Sequence, residues 1–136
     1  MPDDKLTAPG LSRRDPRYPA AYLWSHAVGL GMTSRMMARV RTELGLAYSV
    51  GAIFRPEWNV DGRLYAWCGT RNDAAARALT EMIEQLQQAL LTELPQAELD
   101  AARERLQNAE IFRIDTPQKV LQRALDLELY GLPADF

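Results

Sequence analysis

The chain has 136 residues, of which 47% are apolar and 25% are charged, a composition typical of one globular domain. Its formal net charge is −2 and it contains no Lys- or Arg-rich block, which argues against a nucleic-acid-binding surface. No apolar run approaches the roughly 18 residues that span a bilayer, so no membrane partner is expected.

Residues 1–19 are polar and contain four prolines, which predicts an extended or mobile lead-in. Residues 20–136 are predicted to form a single α+β domain, with an Asp61-Gly62 turn signal between its two strands. Strands are predicted at 46–54 and 63–69, and helices at 20–28, 34–44, 73–91, from Pro95, and from Thr116 to Gly131.

The most informative segment is residues 29–50, which reads GLGMTSR at its start and VRTELGLAYSV at its end. Its apolar spacing predicts a helix that begins at a Thr33 or Ser34 cap. Gly45 stands where a helix commonly ends in a left-handed residue, and a strand is predicted from Leu46. A sharp reversal therefore joins this helix to the strand.

Two candidate functional side chains flank this reversal. Arg41 is predicted in the last turn of the helix and Tyr48 on the strand that follows. The reversal can bring the guanidinium and the phenol into one small volume. From the residues alone, an alternative is that Arg41 pairs with Glu43 or Glu57 and that Tyr48 is an ordinary strand aromatic. The spacing of Arg35 and Arg39 favours a solvated or salt-bridged helix face.

The two runs resemble the second, non-catalytic half-domain of the insulinase/pitrilysin superfamily of zinc peptidases, which includes the mitochondrial processing peptidase. The family pattern is leucine-glycine-x-glycine-met-ser-ser-arg, followed by val-arg-glu-x-x-gly-leu-ala-tyr-ser-val. The resemblance extends over roughly residues 9–136, with further landmarks at Asp15 to Tyr18, Glu98 to Arg103 and Tyr130 to Asp135. It implies antiparallel strands with helices packed on one face, and residues 20–136 would form this half-domain. The family half-domain has further strands at both ends, so the resemblance implies either a fragment or a partial domain with edges closed by a partner.

The resemblance also implies a role for the two flanking side chains. In the family, the matching arginine and tyrosine reach the substrate at the zinc site of the first half. Arg41 and Tyr48 are therefore expected to bind substrate and support the transition state. If Tyr48 faces a substrate chamber, the helices should pack on the small-residue face of the strand, which carries Ala47, Ser49 and Gly51. Periodicity alone favours the opposite face as core, and we follow the resemblance.

The zinc ligands of these peptidases are missing from the sequence. The family motif is His-x-x-Glu-His on a helix, whereas this chain has a single histidine, His26, in an apolar stretch. We expect His26 on a helix surface or at the edge of the core, and the lone Cys68 as a small buried residue. No catalytic residue, metal ligand or cofactor is therefore predicted in this chain, and the resemblance implies zinc on a partner half.

The resulting hypothesis is a substrate-binding, non-catalytic half of a zinc-dependent peptidase that is inactive alone. Its expected partners are a zinc-bearing catalytic half and a peptide substrate, in a homo- or hetero-oligomer, because a two-stranded hairpin has open edges. The alternatives are a non-catalytic scaffold or assembly subunit of the same fold, and a small stand-alone interaction module. No signal region follows Met1, so a cytoplasmic location is expected if Met1 is the natural start.

Overall fold

A computed structural model of the chain describes residues 4–110, 112 and 114–133. Residues 1–3 of the predicted lead-in, and residues 134 and 135 of the last landmark, lie outside this range. The elements in chain order are β1 (Asp4–Pro9), α1 (Tyr18–Val28), a π-helix (Met37–Glu43), β2 (Ala47–Arg55), β3 (Arg63–Thr70), a short 3-10 helix (Asn72–Ala74), α2 (Ala75–Leu91), α3 (Gln96–Glu110) and α4 (Pro117–Tyr130). The predicted α+β class with antiparallel strands is confirmed.

The described strands form an antiparallel sheet in the order β1-β3-β2, one strand more than predicted. The additional strand, β1, lies inside the lead-in. Its sequence holds a single β-branched residue, Thr7, and ends at Pro9, so local propensity does not identify it. Pairing with β3, with Leu6 opposite Ala66, makes it a strand. Because β3 has a neighbour on both sides, the prediction of an open edge on β3 was wrong.

The core lies between one face of this sheet and the helices. The π-helix segment contributes Met36 and Val40, and α2 contributes Ala78 and Met82, all four fully buried. They pack against small and medium side chains of β2 and β3, namely Ala47, Val50, Ala52, Ala66 and Cys68. Cys68 is buried, as predicted. Small sheet residues let the helices approach closely, and this contact fixes the segment that carries the candidate site.

The helices pack on the face of β2 that carries Val50 and Ala52, so the prediction that they pack on the small-residue face was wrong. The strand register shifts between Ala47 and Ser49, which is a β-bulge or irregularity in the pairing with β3. Ala47 and Val50 are both buried, whereas Tyr48 between them is exposed. Periodicity therefore predicted the correct core face for Val50 and Ala52. The bulge allows Tyr48, which periodicity places on the same face, to be exposed to solvent instead.

Helix α1 covers the outer edge of β2. The indole N–H of Trp24 donates to the carbonyl oxygen of Ala89 on α2 at 3.1 Å. At the end of α1, the Gly29 carbonyl accepts a hydrogen bond from the Ala52 N–H at 2.9 Å. A side chain at Gly29 would collide with the Ala52 backbone, so only glycine permits this approach. The contact anchors residues 29–36 against the sheet.

The chain divides into two compact units, Met1–Ala102 and Arg103–Phe136. The first contains the sheet, α1, the π-helix, α2 and the start of α3; the second contains the end of α3 and α4. Helix α4 begins as predicted, with the Thr116 hydroxyl accepting from the Lys119 N–H, and ends at Gly131 with φ of 62°. The prediction of a single half-domain over residues 20–136 stays a prediction. No described helix is long and apolar enough to cross a membrane.

Candidate functional site

The segment that carries the site begins with a buried cap. Ser34 is fully buried, and its hydroxyl accepts a hydrogen bond from the Met37 N–H at 3.4 Å, so Ser34 acts as a capping residue. The segment ends at Gly45, whose φ of 59° confirms the predicted left-handed residue. A Cβ at Gly45 would meet no atom within 4 Å, so the backbone turn alone requires glycine here.

The helix predicted over 34–44 is largely a π-helix, Met37–Glu43. The Leu44 N–H donates to the Arg39 carbonyl at 3.1 Å, a bond that spans five residues rather than four. Such segments are rare and occur frequently at functional sites. Val40 lies in the core, whereas its neighbour Arg41 is exposed. The segment thus has a closed side, which packs against the rest of the fold, and an open side, which is exposed to solvent.

On the closed side, two arginines form ion pairs, as predicted for Arg35 and Arg39. Arg35 Nε lies 2.6 Å from Glu98 Oε2. Arg39 contacts two carboxylates, with Nη1 2.9 Å from Glu43 and Nε 3.3 Å from Glu81. The hydrogen bonds that Arg39 donates to the carboxylates of Glu43 and Glu81 raise the pKa of its guanidinium. These pairs tie the segment to α2 and to the first turn of α3.

Arg41 differs from both of them. Its guanidinium Nη1 lies 3.8 Å from the sulfur of Met37 and 4.0 Å from that of Met32. Among the described residues no carboxylate is within ion-pairing distance of it, and Glu43, the partner in the alternative above, is taken by Arg39. An unneutralised guanidinium at an exposed position retains its full capacity to bind a carboxylate or carbonyl oxygen.

Tyr48 is the neighbour of this arginine. Its side chain is 83% exposed, and its ring centre lies 6.0 Å from the guanidinium carbon of Arg41, at the outer limit of a cation–π contact. The phenol makes no hydrogen bond within the part of the chain that the structure describes. The structure therefore brings the two predicted site residues together, with both polar ends open to solvent.

A shallow groove of about 370 Å3 lies beside Tyr48. It is formed where the start of β2 meets the end of β3, since Ala47 pairs with Thr70. The Thr70 hydroxyl donates to the Leu46 carbonyl at 2.5 Å and ties the two walls together. The lining residues are Gly45, Leu46, Ala47, Tyr48, Gly69, Thr70 and Arg71.

Sequence reasoning missed the wall formed by Gly69, Thr70 and Arg71. The signal available was the antiparallel hairpin itself, because its register sets the last residues of β3 opposite the first residues of β2. That register includes the irregularity at Tyr48, which alternation of apolar residues does not reveal. The groove could therefore be predicted from sequence only if the exact strand pairing were known.

The remaining donor side chains do not form a metal site in the described residues. His26 lies on α1, half-buried, with its ring 4.6 Å from that of Tyr22, at the edge of the core as expected. No group of three or more His, Cys, Asp or Glu side chains suited to a metal ion occurs among the described residues. A zinc ion does not fit the donors that these residues offer, and no chemical step through zinc is assigned to them.

Comparison with solved structures shows the same fold in three bacterial proteins. They are a peptidase M16 inactive domain from Pseudomonas fluorescens (26% identity, TM-score 0.83, 96% of this chain), a protease from Helicobacter pylori (16%, 0.80, 93%) and a conserved protein from Enterococcus faecalis (20%, 0.81, 99%). The matches cover 31%, 31% and 32% of those chains, so this chain spans about a third of their length. No curated protein sequence matches it.

A family model also matches the sequence. The model is described as the peptidase M16 inactive domain and matches residues 5–106, which is 102 of the 136 residues. The match includes Arg41, Tyr48 and the groove, and the predicted resemblance to a non-zinc half-domain is confirmed. This chain belongs to the peptidase M16 inactive-domain family and has the fold of a non-catalytic, peptidase-like half.

Proposed function

We propose that this domain is the substrate-binding half of a zinc-dependent peptidase and acts with a separate half that carries the His-x-x-Glu-His site. The zinc would be held by that partner and would activate the attacking water. This domain would contribute Arg41 and Tyr48, which would contact the peptide near the bond to be cleaved.

One observation carries the proposal: Arg41 is exposed and unneutralised while the arginines on the same segment are ion-paired. A buried or structural arginine is normally matched by carboxylates, because an unmatched charge gains nothing for the fold. A pure scaffold would gain nothing from leaving Arg41 open beside an exposed phenol. This contrast favours substrate binding over the assembly-subunit alternative.

The chemistry of the pair suits peptide hydrolysis. During attack on a peptide bond, negative charge develops on the former carbonyl oxygen, and a phenol O–H or guanidinium aimed at that oxygen stabilises the transition state. The Tyr48 hydroxyl is a donor without an internal acceptor among the described residues. The fork of Arg41 can hold a neighbouring carbonyl or carboxylate and so orient the peptide.

Reconstitution tests the proposal. The chain is mixed with a zinc-bearing half-domain from the same organism, and hydrolysis of a quenched fluorescent peptide is followed. We expect the mixture to be more active than the zinc-bearing half alone. Tyr48→Phe should lower kcat by about 10²–10³-fold, the effect of losing one oxyanion donor in other hydrolases. Arg77→Gln, at an exposed position on α2, is the control and should retain full activity.

Two outcomes would overturn the proposal. One is a mixture no more active than the zinc-bearing half by itself. The other is unchanged kcat in Tyr48→Phe together with unchanged KM in Arg41→Gln, because neither side chain would then contact the substrate.

A further inference from the structure

We infer that the groove beside Tyr48 selects peptides with an acidic side chain, and that Arg71 binds the carboxylate of this side chain. The inference rests on the proposed function, since it names the class of substrate that the same site takes. It assigns to Arg71 a role in specificity that is separate from the role of Arg41 and Tyr48.

The groove has the size and lining for part of a peptide. Its volume of about 370 Å3 is at the lower end of ligand pockets and suits a short segment rather than a folded partner. Its floor and walls are mostly backbone and small side chains, including Gly45 and Gly69. Such a lining imposes little selectivity by shape, so the charged and polar groups at the rim decide which peptides bind.

Two guanidinium groups lie at or near this rim. Arg71 lines the wall at the end of β3, and Tyr48 on the opposite wall lies next to the guanidinium of Arg41. Among the residues that the structure describes, no acidic side chain lines the groove.

Arg71 has a fixed backbone and a solvent-exposed side chain. Its carbonyl accepts a hydrogen bond from the Ala74 N–H at 3.0 Å, which fixes the turn into the 3-10 helix. Its side chain is 81% exposed, and its Nε lies 3.4 Å from the carboxylate of Asp73, which is 72% exposed. A solvent-exposed pair of this kind is weak, so a substrate carboxylate can replace Asp73 at little cost.

The two arginines are therefore expected to act differently. Arg41 contacts the peptide whatever its sequence, because its position beside Tyr48 suits main-chain oxygens. Arg71 lies on the opposite wall of the groove and contacts a side chain of the bound peptide. Loss of Arg41 should weaken all peptides, whereas loss of Arg71 should remove a preference among them.

The test uses the 136-residue chain and a set of short, fluorescein-labelled peptides with blocked ends. Members of the set carry a single Glu, or in the matched peptide a single Gln, at successive positions. Binding is measured by fluorescence anisotropy at low and high salt. At the favoured position, Glu peptides should bind about three- to five-fold more tightly than Gln peptides at low salt, the scale of an exposed ion pair. The preference should shrink as salt is added.

Variants separate the inference from the proposed function. Arg71→Gln should abolish the Glu preference and leave the affinity for Gln peptides unchanged, Arg71→Lys should retain part of the preference, and Arg77→Gln should behave as the unmodified chain. Equal binding of Glu and Gln peptides, or a preference that survives Arg71→Gln, would overturn the inference and leave the proposed function standing. Failure of the unmodified chain to bind any peptide of the set would overturn both.

Discussion

The closed and open sides of the segment from Ser34 to Tyr48 contain the same residue types in different surroundings. On the closed side, Met36 is fully buried and Arg39 bridges two carboxylates. On the open side, Met32, two residues before Ser34, is 69% exposed, and Arg41 has no carboxylate partner among the described residues. The comparison teaches that partners, rather than residue type, distinguish a stabilising side chain from one available to a ligand. The methionine and arginine predictions below test this contrast by changing one member of a matched pair.

The largest effect on stability is expected from the two methionines. Met36→Ala should lower the free energy of unfolding by about 2–5 kcal/mol, because it leaves a cavity in a packed core. Met32→Ala, on the open side, should change it very little. Urea unfolding followed by circular dichroism measures both. Similar losses in the two variants would show that the open side is as tightly packed as the closed one.

The turn that joins the π-helix to β2 should show the next largest effect on stability. Gly45→Ala should cost about 1–2 kcal/mol of unfolding free energy, because a residue with a Cβ resists the left-handed conformation. The same substitution meets no steric obstacle, so the cost is one of backbone conformation alone. Gly45→Asn should lose less, since asparagine tolerates this region. Equal losses for Ala and Asn would argue against this cause.

The arginine pair should show a smaller contrast in stability. Arg39→Gln removes the contacts with Glu43 and Glu81 and should lower the Tm by a few degrees at low salt. Arg41→Gln removes no ion pair within the described residues and should leave the Tm unchanged. Scanning calorimetry at low and high salt checks both variants. A Tm decrease in Arg41→Gln as large as that in Arg39→Gln would mean that Arg41 has a structural role.

The smallest effect concerns an exposed pair outside the segment. Hydrogen bonds from the Arg17 side chain and backbone lower the pKa of Asp15 from 3.8 to about 2. Because the folded pKa is depressed, the contribution to stability is present above pH 3.8 and is lost as pH falls toward 2. The Tm of the unmodified chain should therefore slightly exceed that of Asp15→Asn at pH 5 and converge with it near pH 2. A constant difference across this range would contradict the assignment.

Local sequence signals predicted much of the segment that carries the site. The Ser34 cap, the left-handed Gly45 and the proximity of Arg41 to Tyr48 each depend on neighbours close in the chain. Turn and cap chemistry is local, and it can therefore be predicted without knowledge of the rest of the fold. The aromatic and the guanidinium were correctly expected to meet at one reversal.

Non-local pairing accounts for what sequence did not predict. β1 is a strand because β3 offers it a partner, and the irregularity at Tyr48 exists only in the register of β2 against β3. The π-helical bonding of Leu44 to Arg39 likewise emerges with packing of the segment on the sheet. Arg71 lines the groove because the same register places the end of β3 beside the start of β2. In each case the deciding contact joins residues that are distant in sequence or fixed by the assembled core.

The most direct test of the account is peptide binding and stability measured together on the Arg41→Gln, Tyr48→Phe double variant. The account predicts that affinity for peptides of the blocked set falls by about ten-fold or more, the scale of losing a charge-assisted hydrogen bond, while the urea midpoint stays that of the unmodified chain. Unchanged affinity, or a loss of affinity that appears only with a matching loss of stability, would contradict the claim that the open side binds substrate.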